Sequence, residues 1–462
     1  MATATLDTSA QQTSVRQAGA RETFAVDSDP PAKGSRVWVT GFSREEYEEF
    51  VRLLDAAGYV AAPFATGAAA VLVPDPPPPA IVEESQRLGR RVLVPAMFQE
   101  AAQPRRRRTA LEITAESVRI LDVTIPRRPC GSPGVLPAER FAHLCLDATF
   151  LSAARSVAIA ADAGLPCALE GDTAVAKTTA VLWVSHLCRQ EAVRLNLNGQ
   201  SDTGELVGRF MPAVGGGRDA QAVWRFWEGI VPDAMRRGRW VVLDELNLAE
   251  PQVLERLNPV LEQPPSLVLS EHSGERFGLG GDVAVADTFR IFATLNPAEY
   301  AGRSVLSPAF RDRWSLWSVL EPPGDAEYRA LLARLVHGVQ PEFVRDGIEW
   351  RADDGEPVYP QLAIGGAGRI DGLLDAIATF HGSVAAAAGG EGVTLGRSRR
   401  ERYVFTRRTL LAAMSLLARL VDRGTDLETA AREAVELVYL QRVQPGPDRQ
   451  AVRTALRTAG LT

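Results

Sequence analysis

Short apolar runs alternate with amphipathic segments between residues 34 and 102. Three apolar runs predict buried strands: 36–40, 69–73 and 91–94. Three segments with helical apolar spacing predict helices: 47–54, 81–88 and 95–101. Ser43 and Glu46 fit a capping box at the start of the first helix. The pattern therefore predicts a small β-α-β-α-β-α domain over 34–102, which is long enough to fold independently.

Longer apolar runs occur between residues 141 and 320. A helical stretch from Leu144 to Ala161 comes first, and three apolar runs predict strands: 166–170, 240–245 and 290–294. Buried parallel strands are typically continuous apolar segments. We therefore expect an α/β core over 141–320, with a parallel sheet and helices on both faces.

The last part of the chain, 321–462, is mostly helical in pattern. Three stretches predict helices: 369–388, 406–420 and 427–440. Two segments without this period, 348–359 and 389–402, are expected to be mobile. The pattern favours a separate α-helical domain over 321–462.

Two segments outside these domains have different compositions. Residues 1–33 are rich in small and polar residues and are interpreted as a disordered tail. Residues 103–140 are interpreted as a linker that contains the basic run Arg105–Arg108 and a strand-like stretch over 111–125. This run either contacts nucleic acid or an acidic partner, or is simply solvated.

The composition narrows the class of protein. The chain has 462 residues, a net charge of −6 and four cysteines without a Cys-x-x-Cys motif. These features disfavour a globally basic nucleic-acid coat, a zinc site and a disulfide framework. No apolar run is long enough to span a membrane and no secretory signal is readable, so we expect a soluble, cytoplasmic protein.

A candidate phosphate-binding loop follows the first core strand. Its residues are Gly171, Asp172, Thr173, Ala174, Val175, Ala176, Lys177, Thr178 and Thr179. They fit the pattern G-x-x-x-x-G-K-[ST] except that Ala176 replaces the second glycine. Lys177 is suited to contact β- and γ-phosphate oxygens, and the Thr178 hydroxyl is suited to bind Mg²⁺. Ala176 introduces strain if this position needs a positive φ.

Polar residues at the ends of the other two core strands fit the same chemistry. Asp244 is a candidate ligand of Mg²⁺, and Glu245 is a candidate for polarising the water that attacks the γ-phosphate. Asn296 can bind that water or the γ-phosphate. Arg311 and Arg313 lie in a predicted short helix, from which an arginine can reach a neighbouring subunit's nucleotide. The Asp244-Glu245 pair by itself is also typical of a helix N-cap. A helix N-cap does not explain why this pair, the loop, Asn296 and the two arginines occur in this order.

The segment 141–440 resembles the AAA+ ATPases, in the branch that includes MoxR proteins, midasin and dynein-related modules. Five stretches carry the resemblance: 195–203, 243–249, 255–258, 293–297 and 306–314. The resemblance implies ATP and Mg²⁺ as cofactors, Asn296 as sensor 1, and Arg313, with Arg311 second, as the arginine finger. It also implies that 321–462 is the lid domain and that Arg408, rather than Arg407, is the sensor 2 arginine.

The resemblance also implies partners. Relatives form homo-oligomers, commonly hexameric rings, that act on a protein client and often work with a von Willebrand A domain protein. Two insertions fit this branch: a hairpin around 209–227 and a second one around 266–277. In relatives such loops face the central pore, although an exposed hairpin can also be passive.

The segment 34–102 resembles a BRCT domain. Val39-Thr40-Gly41 after the first strand and Leu88-Gly89 before Val92-Leu93-Val94 carry this resemblance. The chain departs from the family at Phe98, where a tryptophan is usual, and no lysine opens the second helix. The resemblance implies a protein-docking module, with phosphate binding as the alternative.

The predicted function is that of an ATP-hydrolysing ring oligomer that remodels or activates a protein partner and is recruited by its BRCT-like domain. One alternative is a nucleotide-dependent binding switch with little turnover, for which Ala176 is the discriminating residue. Another is a nucleic-acid-directed NTPase subunit, which is less favoured because the insertions contain few arginines.

Overall fold

The computed structural model describes residues 35–40, 42–56, 59–62, 68–74, 79–88, 90–94, 106–131, 133–173, 175–213, 223–297, 303–364, 367–389, 394–396 and 403–461. The predicted tail 1–33, the predicted helix 95–101, Ala174 and most of the segment 389–402 lie outside these residues. The chain divides into two compact units at the boundary between Arg105 and Arg106. Among the described helices, none has the length and apolarity that crossing a bilayer requires.

The first unit is built on a parallel four-stranded sheet of order β2-β1-β3-β4. Its elements are β1 Arg36–Val39, α1 Arg44–Ala56, β2 Val60–Ala62, β3 Ala70–Leu72, α2 Pro79–Arg87 and β4 Arg91–Leu93. The capping box is present, since the Ser43 amide donates to Glu46 Oε2 at 2.8 Å. Leu54 of α1 packs against Val37 and Leu72 of the sheet. The sequence pattern missed β2, an edge strand of only three residues.

The second unit contains the remaining elements. Its strands are β5 Arg106–Thr109, β6 Leu111–Ile113, β7 Ser117–Ile120, β8 Val123–Pro126, β9 Cys167–Gly171, β10 Ala192–Asn196, β11 Gly208–Ala213, β12 Val223–Glu228, β13 Trp240–Asp244, β14 Leu267–Val268, β15 Arg276–Phe277, β16 Arg290–Leu295, β17 Leu316–Leu320, β18 Glu342–Arg345 and β19 Ile348–Arg351. Its α-helices are α3 Ala148–Ala163, α4 Lys177–Leu187, α5 Thr203–Leu206, α6 Ile230–Arg237, α7 Pro251–Glu255, α8 Pro308–Asp312, α9 Asp325–His337, α10 Ala367–Ala388, α11 Arg407–Asp422, α12 Leu427–Val438 and α13 Pro447–Thr458.

A parallel five-stranded sheet of order β10-β13-β16-β9-β17 forms the centre of this unit. Alternate residues of its strands pack into the two hydrophobic cores that lie on opposite faces of the sheet. Trp240 and Val242 pack with α3 and α4, whereas Val241 and Leu243 pack with α6. Helices therefore cover both faces, which is the α/β fold class that the sequence predicts.

The segment interpreted as a linker is folded into the second unit, which corrects that interpretation. Strand β5 pairs in parallel with β19, and β6, β7 and β8 form an antiparallel meander. Ile120 and Ile125 are buried in the core that contains α3. The basic run is thus partly a strand: the Arg107 side chain is exposed and pairs with Glu349 at 2.8 Å.

The two insertions are antiparallel hairpins, as the sequence predicts: β11 with β12 and β14 with β15. The glycine-rich tip of the first hairpin, around 215–217, lies outside the described residues. His272, between β14 and β15, stacks on Phe226 of β12 with ring centroids 4.4 Å apart, so the two hairpins are in contact.

Helices α9 to α13 enclose a second hydrophobic core that includes Leu332, Phe380, Leu410 and Tyr439. The predicted helices correspond to α10, α11 and α12. The segment 348–359 was expected to be mobile, but its first four residues form β19, which pairs with β18. Trp350 is buried there in the core of the central sheet, so long-range packing stabilises a strand that its own sequence does not predict.

Candidate nucleotide-binding site

Three neighbouring strands bring the predicted polar residues to one edge of the central sheet. Strand β9 ends at Gly171, β13 ends at Asp244, and β16 ends one residue before Asn296. Because β13, β16 and β9 are adjacent and parallel, their carboxyl ends meet. Ligands of open α/β sheets bind at this edge.

The loop between β9 and α4 has the strain that the alanine predicts. Ala176 has φ +65° and ψ +23°, in the left-handed region that favours glycine. It is the N-cap of α4, so Lys177 and Thr178 are the first two residues of that helix. The loop keeps a conformation suited to glycine although alanine occupies the position, at a cost of about 1 to 2 kcal/mol.

Lys177 is buried at the base of this loop. Its Nζ donates to the carbonyl oxygens of Gly171 and Asp172, at 2.6 and 2.8 Å, and to Asn296 Oδ1 at 2.8 Å. Burial lowers the pKa of Lys177 to about 8, although the carboxylates of Glu245, Asp244 and Asp172 raise it. Incoming phosphate oxygens have to replace at least one of these three acceptors.

Asp244 is buried and accepts hydrogen bonds from both sides. The Thr178 hydroxyl donates to Asp244 Oδ1 at 2.7 Å, and Thr294 donates to the same oxygen. Arg194 of β10 forms an ion pair with the other oxygen. A carboxylate beside a hydroxyl fits Mg²⁺, which prefers oxygen ligands and takes its remaining ligands from water and phosphate.

Glu245 follows Asp244 and turns sharply out of the strand, with φ +57°. Asn296 Nδ2 donates to its two carboxylate oxygens at 2.9 and 2.8 Å. Arg303 forms an ion pair with Glu245 Oε2 at 2.8 Å. The Asn296 backbone is itself held, because Asn247 Nδ2 donates to its carbonyl oxygen at 2.8 Å. The carboxylate is therefore fixed from two directions.

These residues line one cavity of about 650 Å³. Cationic side chains outnumber carboxylates among the described lining residues: Arg140, Lys177, Arg194, Arg303, Arg407 and Arg408 against Asp244 and Glu245. Apolar side chains supply another part of the lining: Phe141, Leu144, Phe150, Leu182, Leu331 and Leu411. A cavity with both charged and apolar walls suits a ligand that has a polyanionic part and an apolar ring system.

The two arginines at the start of α11 have different environments. Arg407 is buried and pairs with Asp147 at 2.7 Å, and Asp147 in turn caps α3. Burial raises the pKa of Asp147 while the charge of Arg407 lowers it. Arg408 is exposed and lines the cavity. Both arginines therefore line the cavity, but Arg407 is buried against a carboxylate whereas Arg408 is exposed.

Arg311 and Arg313 lie apart from the residues above and are not among the described residues that line the cavity. Arg311 lies over the Trp317 ring, 4.3 Å from its centroid, and is 3.5 Å from Glu170 Oε2. Arg313 Nη1 donates to the Ala309 carbonyl oxygen at 2.7 Å. The structure therefore does not bring these two arginines to their own chain's site.

Sequence reasoning missed Arg194, Thr294 and Arg303. Arg194 and Thr294 lie within strands, where their neighbours indicate burial rather than chemistry. Arg303 follows Asn296 by seven residues in a segment without a regular pattern. The position of Thr294 could have indicated its role. It lies two residues before Asn296, and side chains two residues apart in a strand lie on the same face.

Residues 166–314 match the family model described as AAA domain (dynein-related subfamily). The matched segment includes the phosphate loop, Asp244, Glu245, Asn296, Arg311 of α8 and Arg313, which directly follows α8.

Curated relatives match about a third of the chain. Midasin of Giardia intestinalis is 37% identical over 150 residues, which are 32% of this chain and 3% of that protein. Midasin of Dictyostelium discoideum is 37% identical over 148 residues, 32% of this chain and 2% of that protein. Aerobic cobaltochelatase subunit CobS of a Sinorhizobium species is 28% identical over 167 residues, 34% of this chain and 47% of that protein. The chain thus spans less than half the length of each of these relatives.

Proposed function

We propose that this chain binds Mg²⁺-ATP in the cavity at the edge of the central sheet and hydrolyses it. The observation that carries the proposal is one continuous set of contacts. Lys177 donates to Asn296, and Asn296 donates to both oxygens of Glu245. A phosphate-binding cation and a candidate base are thereby held in one cavity by a single amide. The AAA domain match over 166–314 supports the same chemistry.

Each residue has a distinct task in this proposal. Lys177 moves from loop carbonyl oxygens to phosphate oxygens, and Asn296 orients the attacking water. Glu245 accepts a hydrogen bond from that water and polarises it, which is general-base assistance. Asp244 and Thr178 supply the oxygens for Mg²⁺, which when bound neutralises charge on the phosphates. Arg408 contacts the phosphates from the lid.

ATP titration together with phosphate release tests the proposal. The wild-type protein is expected to bind ATP in the presence of Mg²⁺ and to release phosphate slowly. Lys177→Ala is expected to lose ATP binding, because the phosphate oxygens lose a buried cation. Lys177→Arg is the matched control, since it keeps a cation of different geometry and should retain part of the affinity. Equal ATP affinity in wild type and Lys177→Ala contradicts the proposal.

We further propose that the chain works as a homo-oligomer, as a hexameric ring, and acts on a protein client. The support is that Arg311, in the short helix α8, and Arg313, at its C-terminal end, do not line their own chain's cavity among the described residues. Arginines that serve a neighbouring subunit would have to lie away from their own site. The two hairpins are proposed to contact the client, and a von Willebrand A domain protein is one proposed partner. Particle size measured with and without ATP tests the assembly.

The first unit is proposed to recruit the client as a BRCT-like docking module. Its parallel sheet of order β2-β1-β3-β4 with two helices supports this proposal. Its Gly41, Gly89 and Phe98 lie outside the described residues. The fragment 34–102 should show a cooperative thermal transition, and the absence of one contradicts an independent module.

A nucleotide-dependent switch with little turnover is the second candidate. The strained conformation of Ala176 favours it, because strain in the phosphate loop can slow a catalytic cycle. The rate of phosphate release by the wild-type protein distinguishes the two candidates. ATP binding with almost no phosphate release favours the switch, and sustained phosphate release favours the ATPase.

A further inference from the structure

The guanidinium of Arg303 contacts the carboxylate that the proposed reaction uses as its base. Arg303 Nη2 lies 2.8 Å from Glu245 Oε2, and the Arg303 side chain is only 12% exposed. The side chain also lines the nucleotide cavity. The Glu245 side chain is 32% exposed, so the pair is only partly shielded from water. A hydrogen bond between two charged groups is shorter and stronger than one between neutral groups.

The two oxygens of Glu245 are not equivalent. Oε2 accepts from both Asn296 Nδ2 and Arg303, whereas Oε1 accepts from Asn296 Nδ2 at 2.9 Å. A carboxylate oxygen has two lone pairs. The contacts therefore leave Oε1 as the oxygen with capacity to accept a hydrogen bond from water.

Glu245 is also held by Asn296, and the orientation of Asn296 depends on Lys177. Asn296 is oriented partly through its Oδ1, which accepts from Lys177 Nζ at 2.8 Å. Lys177 uses its three donor positions on Gly171, Asp172 and Asn296, so phosphate binding can withdraw it from the amide. The Arg303 contact involves neither Lys177 nor the loop. It can hold the carboxylate while Lys177 changes partners.

We propose that Arg303 is a positioning residue that fixes Oε2 of Glu245 so that Oε1 accepts the hydrogen bond of the attacking water. This inference rests on the proposed ATP hydrolysis and assigns Arg303 a role through Glu245 rather than through the phosphates. Arg303 belongs to the same chain as Glu245, whereas Arg313 is proposed to act on the nucleotide of a neighbouring subunit.

A double-mutant cycle tests this role. Arg303→Gln should lower kcat by about 10- to 100-fold, the range expected for a misplaced catalytic group, with little change in KM. Arg303→Gln added to Glu245→Gln should cause no further loss, because the group that Arg303 positions has already been replaced. Single-turnover measurement with labelled ATP makes the low rates accessible. Arg303→Lys keeps the charge and should recover part of kcat.

Arg155→Gln is the matched control. Arg155, which is half-buried, forms a bidentate ion pair with the exposed Asp122 at 2.5 and 2.6 Å, and it does not line the cavity among the described residues. Its replacement should leave kcat within about twofold, whereas a general effect of losing an ion pair would lower kcat in both variants. Melting temperatures of all variants separate positioning from unfolding; if Arg303→Gln unfolds, Arg303→Lys carries the cycle.

Two results would overturn the proposal. A loss of affinity for a non-hydrolysable ATP analogue at unchanged kcat would make Arg303 a direct phosphate ligand. An equal fractional loss of kcat in the wild-type and Glu245→Gln backgrounds would show that it acts independently of Glu245. Failure of the proposed function is distinguishable, since then Glu245→Gln itself leaves turnover unchanged.

Discussion

The amide of Asn296 bridges both carboxylate oxygens of Glu245, at 2.9 and 2.8 Å, and its own oxygen accepts from Lys177 at 2.8 Å. One side chain therefore couples the loop after β9 to the residue after β13. Any change in the position of Lys177 is transmitted to Glu245 through a single amide. This coupling links phosphate binding to the orientation of the proposed base.

Ala176→Gly is expected to stabilise the protein. Alanine at φ +65° costs about 1 to 2 kcal/mol, and the greater freedom of glycine in the unfolded chain offsets part of this. We expect a net gain of about 0.5 to 1 kcal/mol in the free energy of unfolding, measured by denaturant titration. Ala386→Gly, at an exposed position of α10, should instead lose about 1 kcal/mol. Equal losses in both variants would argue against strain at Ala176.

The two lid arginines should separate when they are mutated. Arg407→Ala leaves the buried carboxylate of Asp147 without its ion-pair partner and should destabilise the second unit by about 3 kcal/mol. Arg408→Ala should keep stability within about 0.5 kcal/mol but lower kcat by about 10²-fold. Thermal melts and phosphate release measure the two effects. Full activity in Arg408→Ala would assign the phosphate contact elsewhere.

Arg313 should act on a neighbouring subunit. Turnover per subunit is then expected to rise steeply with protein concentration, and Arg313→Ala should lose about 10³-fold in rate while ATP affinity is kept. Mixing Arg313→Ala with Lys177→Ala should restore some activity, because one type of interface combines an intact pocket with an intact arginine. Turnover per subunit that is independent of concentration, in a monomeric preparation, would contradict this geometry.

Stability should fall as the pH is lowered through the range of histidine titration. His381 is fully buried beside Tyr439, at 2.7 Å between Nδ1 and the hydroxyl oxygen, and burial lowers its pKa to about 4. The unfolded chain binds a proton near pH 6.5 and the folded chain does not, so this group's contribution is full above pH 6.5 and is lost between pH 6.5 and 4. The loss is on the order of 3 kcal/mol. His381→Gln should flatten the pH dependence of the unfolding free energy, and an unchanged slope would exclude His381 as its cause.

Much of the central sheet could be predicted because its inner strands β9, β13 and β16 are buried on both faces and read as continuous apolar runs. The strands that the pattern missed, β10 and β17, are the two edges of that sheet. Their residues are largely half-buried or exposed, so they give no such run. A strand of five residues that is only partly buried has too few apolar positions to be recognised from the sequence.

The candidate site also contains some residues that the sequence predicts and others that it does not. Lys177, Asp244, Glu245 and Asn296 could be predicted because each lies next to the end of a strand or the start of a helix. Arg303 and Arg194 could not, since their partners Glu245 and Asp244 are 58 and 50 residues away in sequence. Only the folded chain brings these arginines to the carboxylates.

The separation of binding from hydrolysis in Glu245→Gln tests the account most directly. The amide removes the candidate base but leaves Lys177, Thr178 and Asp244 in place, so ATP affinity should be within a few-fold of wild type while phosphate release falls by about 10²-fold or more. Binding by calorimetry and phosphate release should be measured on the same preparations. Retained ATP binding with lost hydrolysis is the predicted result. Wild-type turnover in Glu245→Gln would contradict the assignment of the catalytic base and, with it, the proposed mechanism.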